Sequence, residues 1–387
     1  MIIGIDARVL QSGDGGVFVY AKNIIEHLIK ISRNRHQIKL FANQRKKHNN
    51  SLIMELGKNQ NVKLYQYRFP NKFLNASLKF LSWPNIDELV GGCDILFFPS
   101  MMYSSWSKKT KTVLTMHDLS FEIFPEFYTA KQNIWHKMMS VEELCADVDR
   151  IISVSKNTKA DIINRYAIDA KKIEAIYSGL DDNFRPIRNQ YELERVRKKY
   201  HLPANKKFIL QAGTIQPRKN MAATLQAFER WQELFPSVAE DYELIFAGHK
   251  GWGTKNFIKS VEKSVFRDRM HLIYEIDKKD LPALYNLAKI FVYPSFYEGF
   301  GHPILEAFGC GVPVISSATS SLGEVVDGAG LVFDPYKIDD LVAGLHTLAI
   351  DEDFAHSLRA KGLARTVEFS WEKCARQTLR VLEGVIK

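Results

Sequence analysis

The feature that most limits the fold of this chain is an alternation of short apolar segments with amphipathic ones, which runs through the sequence twice. Short runs of β-branched and aromatic residues predict buried parallel strands, and the stretches between them predict the helices that cover such sheets. The first series of predicted strands is 2–5, 39–42, 62–65, 95–98, 112–115 and 150–154. The second series is 208–212, 243–247, 270–273, 290–293, 314–316 and 330–333. A length of 387 residues leaves room for two such α/β domains.

Helices are predicted wherever apolar residues recur at helical spacing between these strands. Ile24 and Leu28 belong to such a stripe in a helix over 19–31, and Ser155 is placed to cap a helix over 156–165. A charged helix is expected within 187–205, and Ser370 precedes a final helix. The periodicity breaks near 177–186, which predicts the boundary between the two domains.

The net charge of +9 is concentrated in the first half of the chain. Residues 1–180 carry 25 Lys and Arg against 17 Asp and Glu, whereas residues 181–387 carry 28 against 27. Two interpretations stay open: a solvated basic surface, or attraction to anionic lipid headgroups or a phosphate-bearing acceptor. No nucleic-acid-reading motif accompanies the charge, so we expect no nucleic-acid partner.

The chain begins without a basic segment or a small-residue cleavage site, and no apolar run approaches the ~20 residues that span a bilayer. We therefore expect a cytoplasmic protein, either free or peripheral at the inner face of the cytoplasmic membrane. The four cysteines lack metal-binding spacing, which favours reduced thiols. Asp147 and Asp149 have the spacing of a metal-binding pair, but they lie at a predicted helix end. We assign them to capping and surface charge, and we expect no metal.

A glycine-containing loop followed by an acidic helix stands at the end of the predicted strand 290–293. The segment reads Pro294-Ser-Phe-Tyr-Glu-Gly-Phe-Gly-His-Pro-Ile-Leu-Glu306, and Pro303 suits the first turn of a helix. Free amide groups at a helix amino end favour an anion such as a diphosphate. Glu298 on the loop and Glu306 in the helix can accept hydrogen bonds from sugar hydroxyls. For the two acids alone, a structural turn with solvated side chains is the alternative.

A second candidate anion site follows the predicted strand 208–212. The segment Ala212-Gly-Thr-Ile-Gln-Pro-Arg-Lys-Asn220 precedes a predicted helix, so Arg218 and Lys219 can point to the same edge of the sheet. Arg and Lys neutralise a pyrophosphate and stabilise the charge that develops on it when a glycosidic bond breaks. Solvated surface charge is the alternative.

Two further segments follow predicted strands in the first half. Gly15 and Gly16 lie in a glycine-rich loop after strand 2–5, where the absence of a Cβ lets the backbone approach a ligand. A tight turn is the alternative. His117 directly follows strand 112–115, where a lone histidine is more often structural than functional. Asp118 is expected either to orient its imidazole or to cap the following segment.

Together these segments resemble the retaining glycosyltransferases of family 4, which have the GT-B fold of two Rossmann-like domains facing a cleft. The resemblance rests on the spacing of Glu298 and Glu306 in the loop and helix, and it extends over nearly the whole chain. It implies an acceptor-side domain over 1–182, a nucleotide-sugar-binding domain over 183–368, and a final helix over 369–387 that returns to the first domain.

The resemblance also implies roles for single residues. In that family the second Glu, Glu306 here, binds the nucleotide ribose, and the first, Glu298, contacts the donor sugar. Lys219 matches the phosphate-binding lysine. Many members place an arginine where this chain has Thr214, and Arg218 is the natural substitute. The other residues expected at the donor are Gly15, Gly16, Thr214, Tyr274, Gly299, Phe300 and Gly301.

His117 matches a histidine that faces the donor sugar in that family, either through its side chain or through its backbone carbonyl near the anomeric centre. The glycine loop is expected to close over the donor phosphate, and backbone contacts near Tyr274 are expected to recognise the base. We therefore expect the catalytic residues to be His117, Arg218, Lys219 and Glu298.

The segments IDARVL, TMHDL, PRKN and SFYEGFGHPILEA are similar to those of bacterial mannosyl- and rhamnosyltransferases of surface polysaccharide synthesis. The expected donor is GDP-mannose, ahead of a deoxysugar or UDP-sugar donor. The expected acceptor is an oligosaccharide or a lipid-linked intermediate. The resemblance implies transfer with retention and without a metal or other cofactor.

Two other functions stay open. A sugar-nucleotide epimerase of the same fold would need additional acid and base carboxylates, and we identify none. A non-catalytic sugar-nucleotide-binding partner subunit would not need Glu298, Lys219 and His117. A dehydrogenase is disfavoured because neither first-strand loop has the GxGxxG spacing.

Overall fold

A computed structural model describes residues 1–11, 13, 15–33, 35–44 and 51–386 of the chain. It contains two compact units, each built on one parallel sheet. The first unit comprises Met1–Ile123, Ala130–Gly179 and Ser370–Lys387, and the second comprises Phe124–Thr129 and Leu180–Phe369.

The sheet of the first unit has seven strands in the order β3-β2-β1-β4-β5-β6-β7, and every pair is parallel. The strands are β1 (Ile2–Asp6), β2 (Gln37–Asn43), β3 (Val62–Tyr67), β4 (Ile95–Phe98), β5 (Lys111–Met116), β6 (Arg150–Ser153) and β7 (Ile173–Ala175). The first six match the predicted strands to within a few residues. The sequence did not predict β7, because a strand of three residues with one buried side chain shows no alternating pattern.

Eight helices of the first unit lie between these strands or follow them: α1 (Gly16–Ser32), α2 (Ser51–Leu56), α3 (Asn71–Phe80), α4 (Ile86–Leu89), α5 (Ser120–Ile123), α6 (Ala130–Met139), α7 (Val141–Asp147) and α8 (Lys156–Tyr166). The predicted stripe on α1 is buried, including Ile24 and Leu28. The Ser155 hydroxyl accepts a hydrogen bond from the Thr158 amide at 3.0 Å, which confirms it as the cap of α8.

The sheet of the second unit has six parallel strands in the order β10-β9-β8-β11-β12-β13. The strands are β8 (Lys207–Ala212), β9 (Tyr242–Ala247), β10 (Met270–Ile273), β11 (Ala288–Tyr293), β12 (Val314–Ser317) and β13 (Leu331–Phe333). All six were predicted. Because β8 lies between β9 and β11, the strand order changes direction at β8, as it does in Rossmann-like folds.

The helices of the second unit are α9 (Gln190–Lys199), α10 (Met221–Leu234), α11 (Pro236–Ala239), α12 (Thr254–Lys263), α13 (Leu281–Leu287), α14 (His302–Gly309), α15 (Leu322–Val326), α16 (Ile338–Ile350) and α17 (Glu352–Thr366). The hydrophobic core of this unit includes the fully buried side chains of Phe228, Trp231 and Phe246. The predicted charged helix within 187–205 is α9, which is shorter than that range.

The last helix, α18 (Trp371–Ile386), packs against α1 of the first unit. The rings of Trp371 and Tyr20 lie 6.0 Å apart in an edge-on arrangement. Gly179 permits this packing, since a Cβ atom there would lie 2.2 Å from the Trp371 nitrogen. Glycine is therefore required at position 179, within the segment 177–186 in which the predicted boundary lies.

Candidate active site

The predicted cations and the predicted loop carboxylate follow two neighbouring strands of the second sheet. Arg218 and Lys219 lie in one 3-10 turn, Pro217–Lys219, after β8, and Glu298 lies in the loop after β11. Open α/β sheets bind ligands at the carboxyl ends of their strands, where the strand order changes direction. The structure brings these three predicted residues together at such a position.

Glu298 is paired with both cations at once. Its Oε1 atom lies 2.6 Å from Nζ of Lys219, and its Oε2 atom lies 2.8 Å from Nη1 of Arg218. The side chains of Glu298, Lys219 and Arg218 are 9%, 10% and 13% exposed. Each oxygen of this buried carboxylate therefore has its own cation, and the three groups together carry a net positive charge.

Burial alone would raise the pKa of the Glu298 carboxyl group, because a charge is less stable away from water. The charges of Arg218 and Lys219, and the hydrogen bonds that they donate, outweigh burial and lower this pKa to about 2. Glu298 is therefore ionised at neutral pH and can only accept hydrogen bonds.

Backbone contacts hold the two loops against each other. The Phe296 amide donates to the Arg218 carbonyl at 3.0 Å, and the Asn220 side chain donates to the Pro294 carbonyl at 3.2 Å. Below them the ends of β8 and β9 approach closely, because a Cβ atom on Gly248 would lie 1.9 Å from the Gly213 oxygen. Glycine is therefore required at position 248, next to the Gly213 backbone that follows β8.

Tyr293, the last residue of β11, lies beneath the ion pairs and was not predicted as part of the site. Its hydroxyl donates to Glu298 Oε1 at 3.1 Å and accepts a hydrogen bond from Lys219. Burial, together with the Glu298 charge, raises the pKa of Tyr293. A tyrosine at a buried strand end gives the same sequence signal as a core residue, so only the structure reveals this partner.

A segment of the first half of the chain, Phe124–Thr129, packs beside the same loop within the second unit. The Phe127 ring stacks on Phe296 at 5.4 Å, and its carbonyl accepts a 2.6 Å hydrogen bond from the Trp252 indole. The Phe124 ring lies 5.9 Å from that of Tyr297, whose carbonyl accepts a hydrogen bond from Arg218. These aromatic contacts support the backbone that precedes Glu298, and sequence reasoning missed them.

The predicted residues Gly299, Phe300 and Gly301 connect Glu298 to α14. Gly301 has a φ of 117°, and a Cβ atom there would lie 2.9 Å from the Leu322 side chain, so the start of α14 requires glycine. The Ser321 hydroxyl lies 2.8 Å from the carbonyl oxygens of both Glu298 and Phe300 and shares its one hydrogen between them. The loop therefore enters the helix in a fixed conformation.

Glu306 lies in α14 and interacts with the hydroxyl of Tyr285 on α13. That hydroxyl donates to Glu306 Oε2 at 2.7 Å. Burial raises the pKa of Glu306 to about 7, while Tyr285 and the charge of Lys219 oppose the increase. The Lys219 charge thus acts on both predicted carboxylates, which places Glu306 in the electrostatic surroundings of the Glu298 cluster.

Thr214 and Tyr274, two further predicted donor residues, lie in loops after β8 and β10. The Thr214 side chain is exposed, and its methyl group would lie 2.9 Å from a Cβ atom on Gly251. The Lys250 ammonium lies 4.1 Å above the Tyr274 ring. The predicted roles of Thr214 and Tyr274 at the donor stay predictions.

In the first unit, His117 follows β5 and its ring is held by two contacts. Its Nε2 atom lies 2.9 Å from the Pro99 carbonyl, and its ring meets the Tyr20 ring edge-on at 4.9 Å. Burial lowers the pKa of His117, which favours the neutral imidazole. The Asp118 carboxylate accepts hydrogen bonds from the Ser120 amide and hydroxyl at 3.0 and 2.6 Å, so it caps the following turn.

The predicted glycine loop ends at α1, and Ser12 and Asp14 of that loop lie outside the described residues. Gly15 is the residue before α1 and has a φ of 91°, a conformation that favours glycine. Gly16 is the first residue of α1, and within the part of the chain that the structure describes no atom would lie within 4 Å of a Cβ atom on either glycine. A side chain at either position would therefore contact none of the described residues.

Asp149 pairs with Lys111 at 2.8 Å and accepts a hydrogen bond from the Thr112 amide at 2.9 Å, so it is a charged residue bound to the start of β5 and not the expected helix cap. Among the residues that the structure describes, no three His, Cys, Asp or Glu side chains converge to hold a metal ion. Within the same ranges, no helix combines the length and the apolar composition needed to cross a bilayer.

Two family models match the chain. Residues 14–184 match glycosyltransferase family 4, and residues 193–365 match glycosyl transferases group 1. The chain is 36% identical to O-antigen chain mannosyltransferase B of Escherichia coli over 270 residues, which cover 70% of this chain and 69% of that protein.

The chain is also 32% identical to the serotype-specific mannosyltransferase WbdA of Escherichia coli over 271 residues. These cover 68% of this chain but only 32% of that longer protein. Among solved structures, sucrose-phosphate synthase of Thermosynechococcus elongatus has a TM-score of 0.77 at 19% identity and covers 100% of this chain and 99% of its own. That likeness shows the fold.

Proposed function

We propose that this chain, which belongs to glycosyltransferase family 4, transfers a mannosyl group from GDP-mannose to a glycan or lipid-linked acceptor of surface polysaccharide synthesis. Mannose is the first choice because two relatives at 36% and 32% identity are named as mannosyltransferases. Transfer with retention, as the family resemblance implies, is part of the proposal.

The buried cluster of Arg218, Lys219 and Glu298 is the observation that carries the proposal. Two cations at adjacent strand ends can each bind an oxygen of a diphosphate, and both are pre-positioned by the same carboxylate, with ion pairs of 2.6 and 2.8 Å. Fixed donors of this kind stabilise the charge that develops on a leaving diphosphate more than mobile water does. The excess positive charge of the cluster makes the entry of an anion favourable.

The carboxylates supply the complementary contacts to hydroxyl groups. Ionised Glu298 can accept a hydrogen bond from a donor-sugar hydroxyl, since its low pKa keeps it free of a proton. Glu306 can accept from ribose hydroxyls once it is ionised, which its pKa of about 7 permits near neutral pH. The roles of His117, Gly15 and Gly16 toward the donor remain as predicted from the sequence.

In the proposed reaction, the bond between the sugar C1 and the diphosphate oxygen breaks, and a bond forms between C1 and the acceptor oxygen. The proton of the acceptor hydroxyl passes to the leaving diphosphate. Arg218 and Lys219 hold the negative charge that accumulates on that diphosphate, so the proposal assigns no step to a metal ion.

The proposal also states where the protein meets its acceptor. A lipid-linked acceptor would be presented at the cytoplasmic face of the membrane, where we place the protein. The basic first half of the chain, with 25 Lys and Arg against 17 Asp and Glu, suits that position.

The test starts with the stabilisation of the purified protein by GDP-, UDP-, dTDP- and ADP-sugars, since a ligand that binds only the folded state raises the thermal midpoint. The donor that stabilises best is then incubated with oligosaccharide and lipid-linked acceptors, and the products are identified by mass spectrometry. We expect GDP-mannose to stabilise the protein and to yield an acceptor that is one hexose longer.

One test variant and one control variant show whether transfer depends on Glu298. Glu298→Gln should bind the nucleotide but transfer little, whereas Glu233→Gln, an exposed acid on α10, should behave as wild type. Turnover of GDP-mannose to a free epimerised sugar nucleotide would favour the epimerase alternative. Binding of sugar nucleotides without transfer to any acceptor would favour the non-catalytic one.

A further inference from the structure

Two helices and a loop of the first unit expose large apolar side chains to solvent. In α3, Phe73 and Phe80 are 65% and 70% exposed, and in the loop that follows, Leu81 and Trp83 are 72% and 59% exposed. Single exposed apolar residues are ordinary, but adjacent ones that form a patch usually mark an interaction surface. These exposed side chains therefore predict that another molecule binds at this surface.

The geometry of α3 aligns its two phenylalanines. Phe73 and Phe80 are seven residues apart, so they point almost the same way and lie about 10 Å apart along the helix axis. The opposite side of α3 is buried through Leu74, Ser77 and Leu78. This helix thus has one apolar face toward the protein core and a second, aromatic face toward solvent.

The loop after α3 is fixed with its apolar side chains outward. The Ser77 hydroxyl donates to the Trp83 carbonyl, and the Ser105 hydroxyl donates to the Ser82 carbonyl at 2.6 Å. These bonds tie the carbonyls of Ser82 and Trp83 to α3 and to Ser105, while the side chains of Leu81 and Trp83 stay exposed.

A second helix, α6, ends beside the end of α3. In α6, Ile134, Trp135 and Met138 are exposed, and the helix contributes one buried residue, Met139. The Lys79 ammonium near the end of α3 donates to the hydroxyl of Ser140, the residue after α6, at 2.9 Å. The two helices are therefore neighbours, and we call their exposed apolar side chains the apolar surface: Phe73, Phe80, Leu81, Trp83, Ile134, Trp135 and Met138.

The charge of these helices identifies the partner. Together α3 and α6 contain four lysines and no Asp or Glu; the lysines are Lys72, Lys79, Lys131 and Lys137. Helices that lie in a membrane interface combine aromatic and aliphatic side chains with lysines that reach lipid phosphates. A second copy of the chain would bring these same lysines together, which opposes self-association through this surface.

We propose that the apolar surface docks onto an anionic lipid bilayer, with its aromatic and aliphatic side chains at the boundary between headgroups and acyl chains. The four lysines then lie at the level of the lipid phosphates. The inference deepens the proposed function, because it names the residues that would hold the enzyme where a lipid-linked acceptor is presented.

The test measures binding of the full chain to vesicles by flotation, with no sugar nucleotide present. Vesicles of phosphatidylglycerol and phosphatidylcholine are compared with vesicles of phosphatidylcholine alone. We expect stronger binding to the anionic vesicles. The double variant Phe73→Ser/Phe80→Ser should bind at least about tenfold more weakly, and Lys72→Gln/Lys131→Gln should lose about tenfold on anionic vesicles only.

Matched variants in the second unit control for general effects of apolarity and charge. Tyr191→Ser removes a side chain that is 80% exposed, and Lys255→Gln/Lys259→Gln removes two exposed lysines of α12. Neither should change vesicle binding. Thermal unfolding of all variants should match that of wild type, since the substituted side chains are exposed.

Equal binding of wild type and Phe73→Ser/Phe80→Ser, or equal binding to both kinds of vesicle, would overturn the proposal. So would a dimer in sedimentation that the phenylalanine variant dissociates, together with no vesicle binding, because the occupant would then be a second copy. Transfer from GDP-mannose to a free oligosaccharide should be unchanged in the surface variants. Intact vesicle binding without any transfer would therefore refute the proposed function alone.

Discussion

The Glu298 carboxylate and the Lys219 ammonium form a 2.6 Å ion pair at the ends of two adjacent strands, where both side chains are about nine-tenths buried. The same carboxylate holds Arg218. The two cations are thus oriented by an anion of the protein itself. A diphosphate that binds there meets fixed charges and does not have to order two long side chains, whose immobilisation would otherwise oppose binding.

Replacement of Glu298 by Gln should lower kcat by about a hundredfold or more, because the amide holds neither cation by charge and accepts hydrogen bonds at only one of its two positions. The kinetic parameters are measured with GDP-mannose and an accepted glycan, and Glu233→Gln serves as the exposed control. Full activity of Glu298→Gln would remove this residue from the reaction.

The low pKa of Glu298 also makes a prediction about stability. Its folded pKa of about 2 lies below the ordinary 4.5, so its contribution is present above pH 4.5 and is lost as the pH falls toward 2. The contribution is roughly 3 kcal/mol. Denaturant unfolding between pH 7 and 3 should show a larger loss of unfolding free energy for wild type than for Glu298→Gln. Parallel pH profiles would contradict the ion pairs.

Arg218→Lys should not preserve activity, although it keeps the charge. One guanidinium nitrogen, Nη1, bonds both to Glu298 Oε2 and to the Tyr297 carbonyl, and lysine lacks the planar group that fixes a nitrogen in this position. We expect kcat/KM to fall by about tenfold or more. Arg230→Lys is the matched control: Arg230 is an exposed residue of α10 that pairs with Asp339 at 2.9 Å, and its replacement should leave kcat/KM unchanged.

Glu306 should make donor binding depend on pH. Its pKa of about 7 means that the ionised fraction rises from about a tenth at pH 6 to about nine-tenths at pH 8. If the carboxylate accepts from the ribose, the Kd for GDP-mannose falls by roughly tenfold over that range. The diphosphate of a sugar nucleotide keeps its charge there, so calorimetry reports the protein group.

Glu306→Gln should bind GDP-mannose with the same Kd at pH 6 and pH 8. In the protein without nucleotide, the raised pKa of Glu306 makes the free energy of unfolding decrease with rising pH, whereas donor binding strengthens. The stability that the raised pKa contributes is present below pH 4.5 and is lost as the pH rises through 7. A pH dependence of donor binding that persists in Glu306→Gln would assign it to another group.

Gly15 and Gly16 form an internally matched pair. Gly15 has a φ of 91° and a ψ of 165°, a region that is essentially restricted to glycine, so Gly15→Ala should lower the free energy of unfolding by about 1–3 kcal/mol. Gly16 lies in α1, and Gly16→Ala should be neutral or stabilising by up to about 1 kcal/mol. Thermal unfolding tests this difference. If the loop approaches the donor, both variants should also transfer more slowly; normal transfer by Gly16→Ala would make the loop structural.

The fold was predictable because its strands are short runs of mostly apolar, buried residues that begin and end clearly in the sequence, such as Phe208–Ala212 within β8. The positions of Lys219 and Glu298 after strand ends, and of Glu306 in the helix that follows, were predictable because glycine, proline and charged residues occur there in a recognisable order. The structure pairs Arg218 with Glu298, while Thr214 carries no charge; the role of Arg218 as a substitute for the family's arginine stays a prediction.

The parts that could not be predicted involve residues whose sequence context is that of the core. Tyr293 and Tyr285 both contact a site carboxylate through their hydroxyl groups, yet each lies among apolar neighbours in the sequence. The contact of Phe127 with Phe296 joins positions 169 residues apart. No local pattern reports such a pairing, because it depends on how the chain returns to the second unit.

The division of the chain has a practical consequence for hybrid enzymes. The polypeptide changes unit four times, after Ile123, Thr129, Gly179 and Phe369. A gene cut once near residue 180 would therefore leave one fragment without α18 and the other without the Phe127 contact beside Glu298. A hybrid could take its second unit from a relative with a different sugar preference. Such a hybrid should succeed only when the relative also supplies the segment that corresponds to Phe124–Thr129 and this chain keeps its own Trp371–Ile386.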